Sequence, residues 1–453
     1  MNIIVAGDGK VGNTLTRQLS MEGHDLTVID MNSSLLAHTV ESYDVMAVQG
    51  NCASMDILLQ AGVEDADLLI AVTNLDEVNL LCCMTAHGIN PNIHTIARIR
   101  NPEYTEQVFE MRSTFNLSMT VNPEKQAAVE IERLLRYPGF LRRDSFAKGR
   151  TEIVELRVDA KSKLCNVPLI EMYKIVKCKV LVCAVLRNGS AVVPNRGDFV
   201  LQEGDRIFVT APTENLTTLL KNLGVITRRV RRVMLCGGDR ISFYLASLLE
   251  KDGISVKIIE HDAARCRDLA SLLPHADIVQ GDCSNQSLLD SEGLTSSEAL
   301  VTLTGLDEMN MIISLYAGSA GVPQVITKLG RNENIQLADS LNLGSVICPR
   351  ELCSNNIVRY VRAMENQAGA ALSIHAIADG QVEAMEFLVE KHSKYCGKPL
   401  KELKPRANAL IASITHGSRT EIPNGESMFQ VGDTVVVVTS GRGVIHQLND
   451  VFE

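Results

Sequence analysis

The chain has 453 residues, 45% of them hydrophobic and 22% charged, and a net charge of −10. That length predicts three or four domains and not one core, and the hydrophobic balance excludes a disordered chain. The acidic excess argues against a nucleic-acid partner, which a basic surface would meet.

Trp is absent and aromatics make up only 4%, so Val, Ile, Leu, Ala and Met must build the cores, as suits parallel strands buried beneath helices. The N-terminus opens directly on the strand-like run Asn2–Ala6 and not on the basic, then apolar, stretch of a signal peptide. No run approaches the ~18 to 20 apolar residues that span a bilayer. The longest candidates, around Val180 to Leu186 and Val435 to Val438, are strand-sized. A cytoplasmic protein that meets membranes through a partner is expected.

The first strand leads into Gly7-Asp8-Gly9-Lys10-Val11-Gly12 and then an amphipathic helix, and Asp30 follows 18 residues after Gly12. In that context a GxGxxG motif is the fingerprint of dinucleotide binding. Gly7 permits the tight turn, Gly9 lets the backbone approach a pyrophosphate, and Gly12 lets the helix pack close on the strand. The amides at the helix start, through Lys10 and Val11, then face the phosphates along the positive end of the helix dipole. Asp30, at the carboxyl end of the second strand, is placed to accept ribose hydroxyls. It repels a 2′-phosphate, which favours NAD(H) or an adenine nucleotide over NADP(H). Gly50-Asn51 ends VMAVQG and Thr73-Asn74 ends LLIAVT, where open α/β sheets hold ligands. Arg98 follows IHTIA and is read either as a phosphate partner or as a surface or dimer salt bridge. The alternative for the whole turn is a Rossmann-like turn that holds no ligand.

Beyond the helix that Pro123 opens, Thr151 to Ala211 reads as short alternating strands (EIVELRV, VLVCAVL, DRIFVTA) with turn signals at Asn188-Gly189 and Glu203-Gly204-Asp205. This is a small α+β lobe. Arg228-Arg229-Val230-Arg231-Arg232 marks a seam, read as a solvated linker or a contact for an anionic partner.

The plan then repeats. RVMLCGGDRISFYLASLL from Arg232 matches NIIVAGDGKVGNTLTRQL from Asn2, VKIIE matches LTVID, GDCSNQSLLDSEGL matches GNCASMDILLQAGV, and TGLDEMN matches TNLDEVN. The offset is 230 at the first glycine and 231 at the threonine, so the chain is a duplication. Met385 to Ser440 repeats the small lobe, with Pro399-Leu400 for Pro168-Leu169, Pro423-Asn424 for Pro194-Asn195, and Gly432-Asp433 before TVVVVTS. The fold class expected is α/β: two Rossmann-like, doubly wound parallel-sheet domains, each followed by a small α+β lobe. The expected boundaries are 1–125, 145–227, 231–350 and 370–453.

In the second copy Gly237 and Gly238 precede Asp239, which stands where Gly9 does, and Ser242 stands where Gly12 does. A carboxylate there opposes a pyrophosphate, whereas Glu260 suits a ribose and Arg240 offsets part of the Asp239 charge. Weaker binding, an altered ligand and a vestigial site are all open at Gly237, Gly238 and Glu260.

No Walker A lysine and no G-x-S-x-G elbow is present. His392 and His416 read as isolated surface residues. Asp76-Glu77 and Asp307-Glu308 read as complements to helix dipoles, not as an acid/base pair. The 12 cysteines show no zinc-ligand spacing and read as buried thiols of a reducing compartment. Neither a catalytic nor a metal-ligating residue is predicted, and the chain reads as a non-enzyme.

GDGKVG, VID, LIAVTN, IARIRNPEY (Ile96 to Tyr104) and QEGD (Gln202 to Asp205) resemble the RCK/KTN domains of potassium-transport regulators, in tandem over essentially the whole chain. The resemblance implies NAD(H), and ATP or ADP besides, as ligands. By resemblance, Gly7 to Val11, Asp30, Thr73, Asn74 and Arg98 are nucleotide contacts. It further implies a homo-oligomeric ring on the cytoplasmic side of the cell inner membrane. The ring would gate a membrane-embedded potassium channel or translocation subunit of TrkH/TrkG type. The competing readings are an NAD-dependent oxidoreductase with an unrecognised site and a nucleotide-sensing regulator of a different transporter, such as an antiporter.

Overall fold

A computed structural model describes residues 1–111, 114–136, 140–160, 162–194, 196–224, 230–331, 334, 338, 341, 343–365, 371–378, 380–391, 393–406, 408–440, 445 and 447–452. Asn195, Arg228, Arg229 and His392 therefore lie outside the described residues.

Six parallel strands open the chain: β1 (Asn2–Ala6), β2 (Asp25–Asp30), β3 (Met46–Gln49), β4 (Leu68–Ala71), β5 (His94–Arg98) and β6 (Met119–Val121). They lie in the order β3-β2-β1-β4-β5-β6, the doubly wound order whose switch point falls between β1 and β4. The crossovers are α1 (Lys10–Met21), α2 (Ser33–Ser42), α3 (Met55–Gln60), α4 (Asp76–Ile89) and α5 (Pro102–Glu110), and α6 (Pro123–Arg136) follows β6. The central strands β1 and β4 are covered on both faces: Ile3 to Ala6 and Leu68 to Ala71 are all buried. This is why they read as continuous apolar runs without alternation.

The small lobe holds β7 (Arg142–Phe146), β8 (Thr151–Arg157), α7 (Leu169–Val176), β9 (Leu181–Arg187), β10 (Ser190–Val192), β11 (Arg206–Pro212) and α8 (Leu216–Leu223). Its sheet is antiparallel, in the order β10-β9-β11-β8-β7. Asn188 and Gly189 both have positive φ, 52° and 76°, the tight two-residue turn that the strand twist favours.

The second half repeats both parts. Its parallel sheet holds β12 (Arg232–Cys236), β13 (Ser255–Glu260), β14 (Asp277–Gln280), β15 (Ala299–Thr302), β16 (Gln324–Lys328) and β17 (Ser345–Ile347). With them run α9 (Arg240–Lys251), α10 (Ala263–Leu272), α11 (Gln286–Ser291), α12 (Asp307–Ser319) and α13 (Pro349–Glu365). The second lobe holds β18 (Ala371–Ile377), β19 (Val382–Leu388), β20 (Ala409–His416), β21 (Arg419–Glu421) and β22 (Thr434–Ser440). Both strand orders match those of the first half.

Two compact units result: residues 1–129 with 348–361, and residues 130–347 with 362–453. In the first, α13 of the second half packs on the first half. The Gln18 amide donates to the Asn355 side chain at 3.1 Å, and Tyr360 meets His94 at 3.3 Å. In the second, the end of α6 packs on the second sheet, where Gln324 donates to the Leu134 carbonyl at 2.9 Å. An amphipathic pattern shows that α6 and α13 bury a face but not which sheet receives it. The two small lobes share a core in which Phe146, Ile153 and Phe208 meet Ile377, Val382 and Val436.

The structure goes beyond the sequence reading at three places. Strand β7 (RRDSF) was not foreseen, because three of its five residues are charged and it forms the edge of its sheet. His416 is not isolated: its Nδ1 lies 2.7 Å from Asp433, because the antiparallel order brings the end of β20 beside the turn before β22. Both Asp-Glu pairs lie in the first turns of α4 and α12, as expected, and the first acid of each pair also fastens a neighbouring loop. Asp76 accepts the amides of Arg100 (2.8 Å) and Asn101 (2.7 Å), and Asp307 accepts those of Gly330 and Arg331 (both 2.8 Å). All twelve cysteines are free thiols and only Cys165 and Cys396 are partly exposed. Among the described residues no helix is long and apolar enough to cross a membrane.

Candidate functional site

The site is built at the carboxyl ends of β1, β2, β4 and β5. Gly7 ends β1 with φ +104°, and a Cβ there would stand 2.9 Å from the Thr73 amide nitrogen, so the turn and the end of β4 touch backbone to backbone. A Cβ on Gly12 would stand 1.8 Å from the Gly7 carbonyl oxygen; only glycine lets α1 start so close to the strand. Gly9 is different, for a Cβ there would meet nothing within 4 Å. As N-cap of α1 it brings no side chain to the first-turn amides, which have no acceptor within their own helix. Lys10 is exposed beside this opening, while Val11 points into the core.

Asp30 clasps the turn from β2. One carboxylate oxygen accepts the Asp8 amide at 2.7 Å and the other the Asn32 amide at 2.8 Å. Asp8 itself is buried. Its Oδ2 accepts the Thr39 hydroxyl at 2.6 Å, and its Oδ1 has no hydrogen-bond partner among the described residues. Burial raises the Asp8 carboxyl above the usual range, and the nearby Asp30 adds to this against the Thr39 hydroxyl.

Across the opening, the Thr73 amide and hydroxyl both donate to Asn79 Oδ1, at 2.8 and 2.7 Å, and Asn79 Nδ2 donates to the Arg98 carbonyl at 2.9 Å. Asn79 is fully buried, and it holds the ends of β4 and β5 in one geometry. Sequence reasoning passed it over, although the matched blocks TNLDEVN and TGLDEMN both end on this asparagine. Asn74 is exposed, and its carbonyl accepts the Arg100 guanidinium. Gly50 stands at the base of the crevice, with its amide bonded to the Asp30 carbonyl at 3.0 Å.

Arg98 donates to the Val72 carbonyl at 3.4 Å and lies 3.7 Å from Glu124. Its Nε is buried without a hydrogen-bond partner among the described residues. Burial, with the neighbouring Arg100, lowers its proton affinity, but a guanidinium stays charged. Gly7, Asp8, Gly9, Lys10, Val11, Asp30, Thr73, Asn74 and Arg98 thus all lie at or beside the carboxyl ends of β1, β2, β4 and β5, and Asn79 and Asp76 on α4 fix the ends of β4 and β5 from behind.

The second half has the same frame around a different centre. Gly237 has φ +107°, Glu260 accepts the amides of Gly238 (2.6 Å) and Asp262 (2.8 Å), and Asn310 links Thr304 to the Lys328 carbonyl. Where Gly9 leaves space, the Asp239 carboxylate accepts the Ser242 amide at 3.1 Å and meets the Lys328 ammonium at 2.6 Å. The partner of Asp239 is Lys328; sequence reading had assigned that part to Arg240, which is exposed.

Comparisons with known proteins agree with this architecture. The TrkA-N domain model matches residues 3–118 and 233–349, and the TrkA-C domain model matches 153–224 and 384–451. A Trk system potassium uptake protein TrkA homolog of Archaeoglobus fulgidus is 32% identical over 437 residues, covering 96% of this chain and 97% of its own. The Trk system potassium uptake protein TrkA of Haemophilus influenzae is 29% identical over 461 residues, covering 100% and 99%. Among solved structures, the GsuK RCK domain superposes with a TM-score of 0.61 at 17% identity, covering 97% of this chain and 92% of that one. The GsuK channel bound to NAD gives 0.61 at 17% identity, covering 97% and 76%.

Proposed function

This chain belongs to the TrkA family, and from that premise we propose that it is the peripheral regulatory subunit of a potassium-uptake system, with NAD(H), and ATP or ADP besides, as effectors bound in its first half. The observation that carries the reading is the open space at Gly9, where an added Cβ would meet nothing within 4 Å, at the start of α1 and beside the turn that Asp30 clasps. Uncapped amides at the positive end of a helix dipole favour a phosphate. Arg98 brings a guanidinium with an unsatisfied, buried N–H, and such a group binds an anion with charge-assisted hydrogen bonds. Asp30 keeps unused acceptor capacity for ribose hydroxyls. Gly7 to Val11, Asp30, Thr73, Asn74 and Arg98 are the proposed contacts, and the nucleotide acts as an effector with no bond made or broken.

Potassium uptake is named in the relatives, and NAD in one structural neighbour. Regulation follows from binding only where the ligand prefers one of two states of a homo-oligomeric ring on the cytoplasmic face of the inner membrane. The partner proposed is a channel or translocation subunit of TrkH/TrkG type. Reconstitution with the co-purifying membrane protein tests this: potassium flux is expected to change on adding NADH, NAD, ATP or ADP. A flux indifferent to all four, or a co-purifying protein that does not carry potassium, removes the proposal.

A further inference from the structure

We infer that the second half carries its own anion: Asp239 and Lys328 fill, as an ion pair, the place that the first half leaves to a nucleotide phosphate, so one chain takes up one dinucleotide and not two. The inference rests on the functional reading of the first half.

The equivalences are fixed by geometry. Gly9 and Asp239 are the N-caps of α1 and α9, with nearly the same backbone: φ −71° and ψ −169° against φ −71° and ψ −173°. Arg98 and Lys328 end the fifth strands of the two sheets, and their carbonyls accept Asn79 and Asn310 at 2.9 and 3.0 Å. Both cations reach back to the carbonyl that follows the fourth strand, Arg98 to Val72 at 3.4 Å and Lys328 to Leu303 at 2.9 Å.

The difference is what stands between helix start and cation. In the first half Gly9 has no side chain to stand there, and the carboxylate beside the Arg98 guanidinium is Glu124, at 3.7 Å. In the second, one oxygen of Asp239 takes the Ser242 amide at 3.1 Å and the other takes Lys328 at 2.6 Å. The carboxylate thus satisfies the two groups a phosphate would use, a first-turn amide and the cation. An incoming phosphate meets a like charge. It also has to strip Asp239 of its partners in a setting where the Lys328 side chain is only 16% exposed, and an unpaired charge there is costly. Arg265 ties the turn further, donating to the Gly238 carbonyl at 2.6 Å and to the Asp239 carbonyl at 3.4 Å.

Because the two N-caps share a backbone conformation, their side chains can be exchanged without strain, and this makes the test. NADH bound per chain is counted by calorimetry or equilibrium dialysis on the full-length protein. The wild type is expected to bind one equivalent. Gly9→Asp is expected to bind none while its melting temperature holds, since aspartate caps a helix at least as well as glycine. Adding Asp239→Gly to Gly9→Asp is expected to return one equivalent, now in the second half; a third change, Ser242→Gly, restores the close start of the helix as in α1. Two equivalents on the wild type, or one on Gly9→Asp, overturns the inference and leaves the functional reading standing. Failure of both the double and the triple variant to bind also overturns it. No binding of NADH by the wild type overturns the dinucleotide part of the functional reading, and the count of one with it.

Discussion

Single residues divide the two halves more sharply than any element does. Arg98 and Lys328 occupy the same strand end, yet the first keeps an unsatisfied Nε–H with its carboxylate, Glu124, at 3.7 Å, while the second is paired with Asp239 at 2.6 Å. If Arg98 serves a phosphate, Arg98→Ala should weaken NADH binding by about tenfold to a hundredfold, the range of a lost hydrogen bond to a charged group. Calorimetry on the full chain reads this, and the melting temperature should hardly move, because the side chain makes only long contacts of 3.4 and 3.7 Å in the ligand-free geometry. Arg98 could be singled out in the sequence because it follows an apolar strand-like run. Asn79 was not singled out, since an asparagine inside a helix carries no motif of its own, and its value lies in bonding two strand ends at once.

At the scale of elements, the small lobes are held by a buried acid at the turn before their last central strand. Asp205 has no exposure and receives Arg187 through two hydrogen bonds of 2.7 Å, while its Oδ2 also accepts the Gln202 amide at 2.8 Å. The second lobe uses His416 and Asp433 in the same places, with the Gln430 amide on Asp433 at 2.6 Å. Arg187→Ala leaves the Asp205 carboxylate buried without its counter-charge, and should cost about 3 kcal/mol in chemical denaturation. Arg187→His should cost less, since the second lobe already works with that pair. A second acid, Glu130 on α6, titrates in the opposite sense to most. Burial pushes its carboxyl up to about 7, against the pull of Arg133 at 3.6 Å. The unfolded chain releases this proton near the ordinary glutamate value, whereas the folded chain holds it to about 7. Its contribution to stability is therefore full below the unfolded value and is lost as pH rises through 7. Glu130→Gln should remove that loss, on the order of 2 kcal/mol between pH 4 and pH 8. Denaturation curves of both chains across that range check it. Asp144 does not mask the effect: burial opposes its ionisation, but Arg142 and His375 hold it down to about 2, so it titrates below this window.

The molecule as a whole is less divisible than its repeat suggests. Residues 348–361 belong with the first sheet, and residues 130–347 and 362–453 form the other unit. The two small lobes meet through Phe146, Phe208, Ile377 and Val436, and Asp144 pairs with His375 at 3.0 Å. Residues 1–229 and 230–453 expressed as separate chains should therefore co-purify through a tag on either one. Each should be poorly soluble alone, because the apolar faces prepared for the other half are left open. Halves that behave as independent, soluble domains would contradict the exchange of α6 and α13.

The order of the amino acids was enough for the duplication, the doubly wound fold class and the first glycine-rich turn. Repeats, apolar runs and glycine spacing are local signals, and backbone sterics read them the same way in any surroundings. It was not enough for the fate of the second turn, since Asp239 and Lys328 stand 89 residues apart and only the folded sheet brings their charges to 2.6 Å. Nor could it say which sheet receives α6 and α13, or that His416 would find Asp433. Those are matters of which surfaces meet, and a side chain's charge and periodicity state what it needs without stating where the fold will supply it.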